Sequence, residues 1–281
     1  MDSYAYYNGN FGKKESIQIP LSDRSIYFGD AVYDAAIGCY DRILWESDHI
    51  DRLLLNAKKL EINHSYTKKF LSDLLREIAV KSMIESYFLY IQISRNSEKR
   101  THSAIGSGAN LLITVDPINV DENCSPLKLT VKDDLRYGYC DIKTVNLLPA
   151  VIASTSAEKS GYDESVFVKE GVVTECARSN ISIIKQGRIV THPKSRRILP
   201  GITREHLLGI CLANQIEVEE RPFTVEELFS AEEILVTSTS KLCRPVSFID
   251  DSPVGGKNTF LTDLLCQKIY EEYAFYCKIK E

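Results

Sequence analysis

Residues 136–148 read Arg136-Tyr137-Gly138-Tyr139-Cys140-Asp141-Ile142-Lys143-Thr144-Val145-Asn146-Leu147-Leu148, and the interpretation of the whole chain turns on one of them. Lys143 stands between Ile142 and Val145, ahead of an apolar stretch, where a strongly hydrated ammonium is unusual unless something binds it. A buried lysine has a lowered pKa and becomes a nucleophile, as Schiff-base chemistry requires. Taken alone, the pattern favours a blander alternative, a lysine snorkelling from a strand edge.

Three further stretches carry side chains of chemical interest. Val173-Thr174-Glu175-Cys176-Ala177-Arg178-Ser179-Asn180 reads as a turn between two strands with one acid at its head, a residue that by itself is ordinary solvated surface. In Leu199-Pro200-Gly201-Ile202-Thr203-Arg204-Glu205, Gly201 permits close backbone approach and Thr203 stands at the entrance to an apolar-periodic helix. Exposed N–H groups at such a helix start suit an anion, although ordinary helices begin the same way. Thr237-Ser238-Thr239-Ser240 places four hydroxyls after an apolar strand, suited to phosphate oxygens or simply to a turn.

Around these stretches the chain alternates irregularly between strands and helices. The Asn8-Gly9 pair predicts a hairpin between Tyr4–Asn8 and Gly12–Ile19, and Asp41-Arg42 a second between 31–39 and 43–45. Asp48 reads as the N-cap of a helix with Ile50, Leu53, Leu54, Ala57 and Leu60 on its apolar face, and another helix is expected over 67–83. Strands are expected over 88–94, 110–115, 127–132, 165–169, 181–185, 188–191 and 233–237, with helices over 150–159, 204–214, 225–229 and 260–276. The polar stretch from Asp116 to Pro126 reads as a linker, dividing the chain into a smaller domain over 1–116, a linker over 117–126 and a larger domain over 127–281 that carries Lys143. The physical expectation is two α+β domains, without the regular alternation of a nucleotide-binding doubly wound sheet.

Composition narrows the function classes. The 281 residues, 44% apolar and with a formal net charge of −5, suit a globular protein without general attraction to nucleic acid or an anionic membrane. The start, MDSYAYYNGNFGKK, has no apolar targeting region and no stretch approaches the length of a membrane helix, so a soluble cytosolic protein is expected. The eight cysteines show no C-x-x-C pair and no His at zinc-finger spacing, which argues against a metal site or a disulfide frame and for free, buried thiols.

Taken in order, these segments resemble the class IV aminotransferases, pyridoxal-phosphate enzymes of fold type IV, and within them the D-amino-acid branch. The resemblance runs from Asp23-Arg24-Ser25-Ile26-Tyr27-Phe28-Gly29-Asp30-Ala31-Val32-Tyr33 through His49-Ile50-Asp51-Arg52-Leu53 and Cys140-Asp141-Ile142-Lys143 to Thr237-Ser238-Thr239. It implies a small N-terminal α/β domain and a larger C-terminal pseudo-barrel domain closing on the cofactor. It also overturns the bland reading of Lys143, which becomes the lysine that carries pyridoxal 5′-phosphate and moves the substrate Cα proton. By the same resemblance Glu175 faces the pyridine nitrogen, Leu199 lies against the ring, and Arg52, the N–H groups of Ile202 and Thr203 and the hydroxyls of Ser238 and Thr239 hold the phosphate. Arg136 matches an arginine near the cofactor whose charge would help keep Lys143 deprotonated.

For the substrate, the resemblance implies that Tyr33, Arg100 and His102 hold the α-carboxylate, with Thr239 nearby and with Arg100 and His102 reaching in from the other subunit of a homodimer. The expected reaction is transamination of a D-amino acid with a 2-oxo acid, 2-oxoglutarate or pyruvate. A branched-chain L-amino-acid aminotransferase, an aminodeoxychorismate lyase and an (R)-amine transaminase are the alternatives on the same fold. Two departures from the family pattern stand out. Arg178 brings a charge close to the cofactor, toward phosphate, substrate carboxylate or solvent. The small residues of Asp34-Ala35-Ala36-Ile37-Gly38 predict a roomier side-chain pocket, suited to a bulky or acidic D-amino acid.

Overall fold

The computed structural model describes residues 2–96, 100–104, 108–121 and 124–277, so part of the expected linker, 122–123, lies outside the described residues. The chain divides into two compact units, one formed by Met1–Asn119, Ile142–Asn146 and Tyr273–Glu281, the other by Val120–Asp141 and Leu147–Glu272.

The first unit is built on an antiparallel sheet of β1 (Tyr4–Tyr7), β2 (Asn10–Lys13), β3 (Ala31–Cys39), β4 (Arg42–Ile43), β5 (Ser86–Arg95) and β6 (Ala109–Pro117), in the order β2-β1-β6-β5-β3-β4. Asn8 and Gly9 both adopt positive φ in the β1–β2 turn, as the Asn-Gly signal requires. The expected second strand stops at Lys13, where a 3-10 turn begins. Helix α1 (Arg24–Phe28) was not foreseen, because five residues are too short for a periodic signal; Asp23 caps it by accepting from the Ser25 N–H. Helix α2 (Glu46–Lys59) starts before the expected cap at Asp48. Trp45, in the left-handed region, offers its carbonyl to the N–H groups of Asp48 and His49, so Asp48 lies inside the first turn. Helix α3 (Lys68–Ser82) begins where expected, the Thr67 hydroxyl accepting from the Phe70 N–H.

Alternation along the strands separates the two sheet faces. Val32, Ala36, Leu89, Ile91, Ile93, Leu111 and Ile113 join Ile50, Leu53, Leu71, Leu75 and Ile78 of α2 and α3 in one core, and Ile142 belongs to it too. Tyr33 lies on the opposite face. The turn holding Lys143 therefore packs with the first unit and not with the larger domain, as the sequence had suggested. It lies along the edge of β3 that β4 leaves open, the Tyr33 N–H donating to the Lys143 carbonyl at 2.9 Å and the Val145 N–H to the Ala31 carbonyl at 3.3 Å.

The second unit contains β7 (Leu127–Asp133), β8 (Glu164–Lys169), β9 (Val172–Cys176), β10 (Asn180–Lys185), β11 (Arg188–Thr191), β12 (Val218–Glu220), β13 (Phe223–Thr224), β14 (Glu233–Ser238), β15 (Leu242–Ile249) and β16 (Ser252–Pro253). They order as β12-β11-β10-β14-β15-β7-β8-β9-β13, with β16 on β15. β15 pairs parallel to β7 and β7 parallel to β8, giving a mixed sheet. Strand β15 escaped the sequence because Arg244 and Pro245 break its apolar pattern; the register against β7 shifts just beyond them, between Val246 and Phe248. The segment over 172–176, expected as a turn, is strand β9. Helices α4 (Leu148–Lys159), α5 (Ile202–Ala213), α6 (Val225–Ser230) and α7 (Thr259–Cys277) complete the described elements, the last turn of α7 belonging to the first unit. Among the described residues no helix is long and apolar enough to cross a membrane.

One cysteine expectation fails. Cys39 and Cys277 form a disulfide across Cα atoms 5.1 Å apart, a pairing invisible in sequence because 238 positions separate them. Burial pushes the Cys176 thiol well up and that of Cys211 up to about 12, so these two remain inert hydrophobic side chains.

Candidate active site

In the first unit the site begins with the alternation of β3. Tyr33 is half-buried and stacks on Tyr90 of the neighbouring strand, ring centroids 5.2 Å apart. The half-buried Lys143 places its ammonium 4.4 Å from the Tyr33 ring centroid. On the other face Asp34 is completely buried, an unusual state for a carboxylate, and α2 supplies its partners. His49 and Arg52, three positions apart and therefore on one helix face, both reach it. His49 Nδ1 lies 2.7 Å from Asp34 Oδ1, while Arg52 donates from Nε to Oδ2 and from Nη2 to Oδ1, each at 2.8 Å.

Burial alone would raise the Asp34 carboxyl, but the Arg52 charge and the hydrogen bonds from Arg52 and His49 outweigh it and hold it well below the usual carboxylate range. Burial lowers His49, so the ring is neutral at neutral pH. Its Nδ1 must carry the proton to meet an ionised carboxylate, leaving Nε2 as an acceptor without a hydrogen-bond partner among the described residues. Neither Asp34 nor His49 was singled out from sequence. A carboxylate inside the apolar run of β3, followed by a His-x-x-Arg spacing, was the available signal.

The expected carboxylate-binding pair, Arg100 and His102, is exposed on the turn that follows β5. Both lean on the aromatic end of α1 in their own chain: the Arg100 guanidinium lies 5.2 Å from the Phe28 ring centroid, and the His102 ring 5.5 Å from it. Of the small residues after Tyr33, Asp34 and Ala36 belong to the helix-covered face. A Cβ on Gly38 would meet the Arg42 carbonyl and the Tyr87 hydroxyl at 2.5 Å, so its smallness serves local packing. The case for a roomy pocket therefore narrows to Ala35, beside Tyr33 on the same face.

In the second unit Glu175, at the end of β9, is only 5% exposed, which corrects its reading as a solvated turn residue. It accepts from Arg136 Nη1, from Asn180 Nδ2 at 2.9 Å and from the Leu199 N–H at 3.0 Å. Arg136 is also paired with Asp134, donating at 2.9 and 2.8 Å, and stacks 4.7 Å from the Phe167 centroid. Its charge is shared between Asp134 and Glu175, and the second of these pairs helps to fix the Glu175 carboxylate. Arg178 is exposed and donates to the Asp163 carbonyl at 3.0 Å, which ties its guanidinium to the loop that precedes β8.

Asn180 ties Glu175 to the start of α5. The same Nδ2 donates to the Leu199 carbonyl at 2.8 Å, and a Cβ on Gly201 would stand 1.9 Å from Asn180 Oδ1, so only glycine admits this approach. Gly201 is the N-cap of α5 and no side chain caps the helix, which leaves the N–H groups of Ile202 and of the buried Thr203 for another acceptor. At the last residue of β14, Ser238 Oγ accepts from the Lys241 N–H at 3.3 Å, and Lys241 Nζ pairs with the buried Glu164 at 2.8 Å. The buried Thr237 hydroxyl, opposite Asn180 in register, has no partner among the described residues.

An uncapped helix start, an orphaned hydroxyl at the head of Thr237-Ser238-Thr239 and a carboxylate locked by three donors suit a phosphate and a protonated ring nitrogen respectively. The amino-transferase class IV family matches residues 37–249. The D-alanine aminotransferase of Bacillus licheniformis is 33% identical over 254 residues, 89% of either chain.

The chain belongs to the class IV aminotransferases.

The branched-chain aminotransferase of the thermophilic archaeon Thermoproteus uzoniensis, solved with norvaline, shares the fold of this aminotransferase with a TM-score of 0.87 at 22% identity, over 98% of this chain and 97% of that one. A branched-chain aminotransferase from Thermobaculum terrenum, solved in its PLP form, gives 0.84 at 20% identity over 99% and 97% of the two chains. The class IV aminotransferase described here is a pyridoxal-phosphate enzyme of the two-domain α+β type.

Proposed function

We propose that this aminotransferase moves the amino group of a D-amino acid to a 2-oxo acid such as 2-oxoglutarate or pyruvate. The observation that carries this reading is the Arg100-Thr101-His102 turn, with both side chains exposed on the aromatic end of α1, in a chain one-third identical to a D-alanine aminotransferase. Arg100 and His102 of one subunit bind the α-carboxylate of an amino acid held by the other, with Tyr33 of the latter, so the homodimer is the working unit.

Lys143 anchors the cofactor, takes the proton from the substrate Cα and holds it for return. Arg52, steered by Asp34, binds the phosphate together with the N–H groups of Ile202 and Thr203 and the hydroxyls of Ser238 and Thr239. Leu199 packs on the ring, and its own N–H, with Asn180 and Arg136, keeps Glu175 in place to retain a proton at the ring nitrogen. When bound, pyridoxal phosphate supplies the electron sink that stabilises the carbanion at Cα. Water supplies the oxygen with which the donor would leave as a 2-oxo acid, and an equal amount is released when the second 2-oxo acid takes up the nitrogen in a separate half-reaction.

Assays with separate D- and L-amino acids test the reading. Turnover confined to D-substrates supports it, turnover of branched-chain L-substrates replaces it, and release of pyruvate without an amino acceptor would mark a lyase. The small Ala35 on the Tyr33 face favours a bulky or acidic D-amino acid over D-alanine, and rates across a panel of D-amino acids test this.

A further inference from the structure

Arg24 is only 4% exposed, although arginine is among the residues least often buried. The preceding residue fixes where it starts. Asp23 accepts from the Tyr7 hydroxyl at 3.0 Å, the Ser94 hydroxyl at 2.7 Å and Asn110 Nδ2 at 2.9 Å, which pins the head of α1 to β1, β5 and β6. From there the Arg24 guanidinium uses all three nitrogens. Nε donates to Asp30 Oδ2 at 2.8 Å, Nη1 to the Thr101 carbonyl at 2.6 Å and Nη2 to the His102 carbonyl at 3.0 Å. Its plane lies 4.4 Å from the Phe28 centroid, the ring on which Arg100 and His102 also lean. Asp30 is held from its other side by Arg95 Nε at 3.1 Å, and Arg95 in turn donates to the carbonyls of Leu60 and Glu61.

A buried cation is thus spent on two backbone carbonyls of an exposed turn. A neutral donor could satisfy one carbonyl, and water could satisfy both. What the planar fork adds is orientation, since its fixed geometry sets the two peptide planes relative to each other. We propose that Arg24 is a positioning residue which sets the direction of Arg100 and His102, and through them the affinity for the substrate α-carboxylate, without touching substrate itself. The inference rests on the assignment of Arg100 and His102 as the carboxylate-binding pair.

Steady-state kinetics of Arg24→Lys, Arg100→Ala and the double variant, on the holoenzyme with a D-amino acid and 2-oxoglutarate, test it. A lysine keeps the charge but cannot reach both carbonyls and Asp30. Arg24→Lys should raise KM for the D-amino acid, and the Ki of a short aliphatic carboxylate inhibitor, about ten-fold, the loss of roughly one charged hydrogen bond, with kcat changed less than about two-fold. The double variant should be worse than Arg100→Ala alone by clearly less than the Arg24→Lys effect in the wild-type background, because only His102 is then left to misplace. If Arg100→Ala raises KM while Arg24→Lys leaves KM and Ki alone, or if the two effects simply add, the positioning role is wrong and the carboxylate assignment stands. If Arg100→Ala itself leaves KM unchanged, the assignment fails and the inference with it. Should Arg24→Lys not yield folded holoenzyme, Phe28→Leu decides: it removes the shared ring, and must raise KM and Ki with kcat retained, or the proposal falls.

Discussion

Replacing Asp34 by asparagine removes the charge that organises the His49 and Arg52 cluster of the first unit while preserving its shape. The carboxylate accepts three hydrogen bonds from Arg52 and His49 inside a fully buried position, and the Asn amide keeps one acceptor but turns a donor toward guanidinium N–H groups. Removing one partner of a buried ion pair costs about 3–5 kcal/mol, and one surviving acceptor places Asp34→Asn near 3. At about 2–4 °C per kcal/mol for a chain of this size, the melting temperature of the cofactor-free protein should fall by about 6–12 °C.

The pH dependence has a definite sign. The folded carboxyl of Asp34 lies below its unfolded value. Its contribution is therefore fully present above about pH 4 and is lost as pH falls through the folded value. The gap between wild type and Asp34→Asn should close below about pH 4. Because Arg52 loses its steering partner, pyridoxal phosphate should also bind the variant more weakly in equilibrium titrations of the cofactor-free protein. A variant that melts within about 1 °C of wild type at neutral pH and binds the cofactor equally well would refute the reasoning.

Lys143→Ala should abolish turnover while leaving far-UV circular dichroism unchanged, and borohydride reduction of the wild-type holoenzyme should leave the cofactor on Lys143 in peptide mass analysis. Gly201→Ala drives a methyl into Asn180, so it should destabilise the protein by about 1–3 kcal/mol and weaken cofactor binding, seen by denaturant melts and by cofactor titration. Cys39→Ser should lower the unfolding free energy by about 2–4 kcal/mol in the absence of reductant and match wild type under reducing conditions, as denaturant melts would show, because what is lost is the Cys39–Cys277 link.

What could be read in the sequence was whatever short-range physics dictates. The Asn8-Gly9 turn needs two positive φ angles, Thr67 caps the nearest N–H groups of α3, and apolar spacing marks the buried faces of α2 and α3. A chemical role for Lys143 is an expectation that rests on resemblance to a family, since a lysine in an apolar run is also a snorkelling lysine. The pairings decided by tertiary structure join residues far apart in the chain. Asp34 gained its meaning only when α2 laid His49 and Arg52 over β3, and Glu175 only when Arg136, Asn180 and Leu199 converged on it. Chain position places Lys143 after the expected linker, whereas its turn packs along the open edge of β3 in the first unit, an edge that exists only once the sheet has formed. Nothing in the sequence marks Arg24 as buried, and the folded first unit buries it with its fork donating to Asp30 and two carbonyls at once. Residue types determine which bonds are possible; the strand order and helix placement determine which of those possible bonds leave water, and burial makes them decisive.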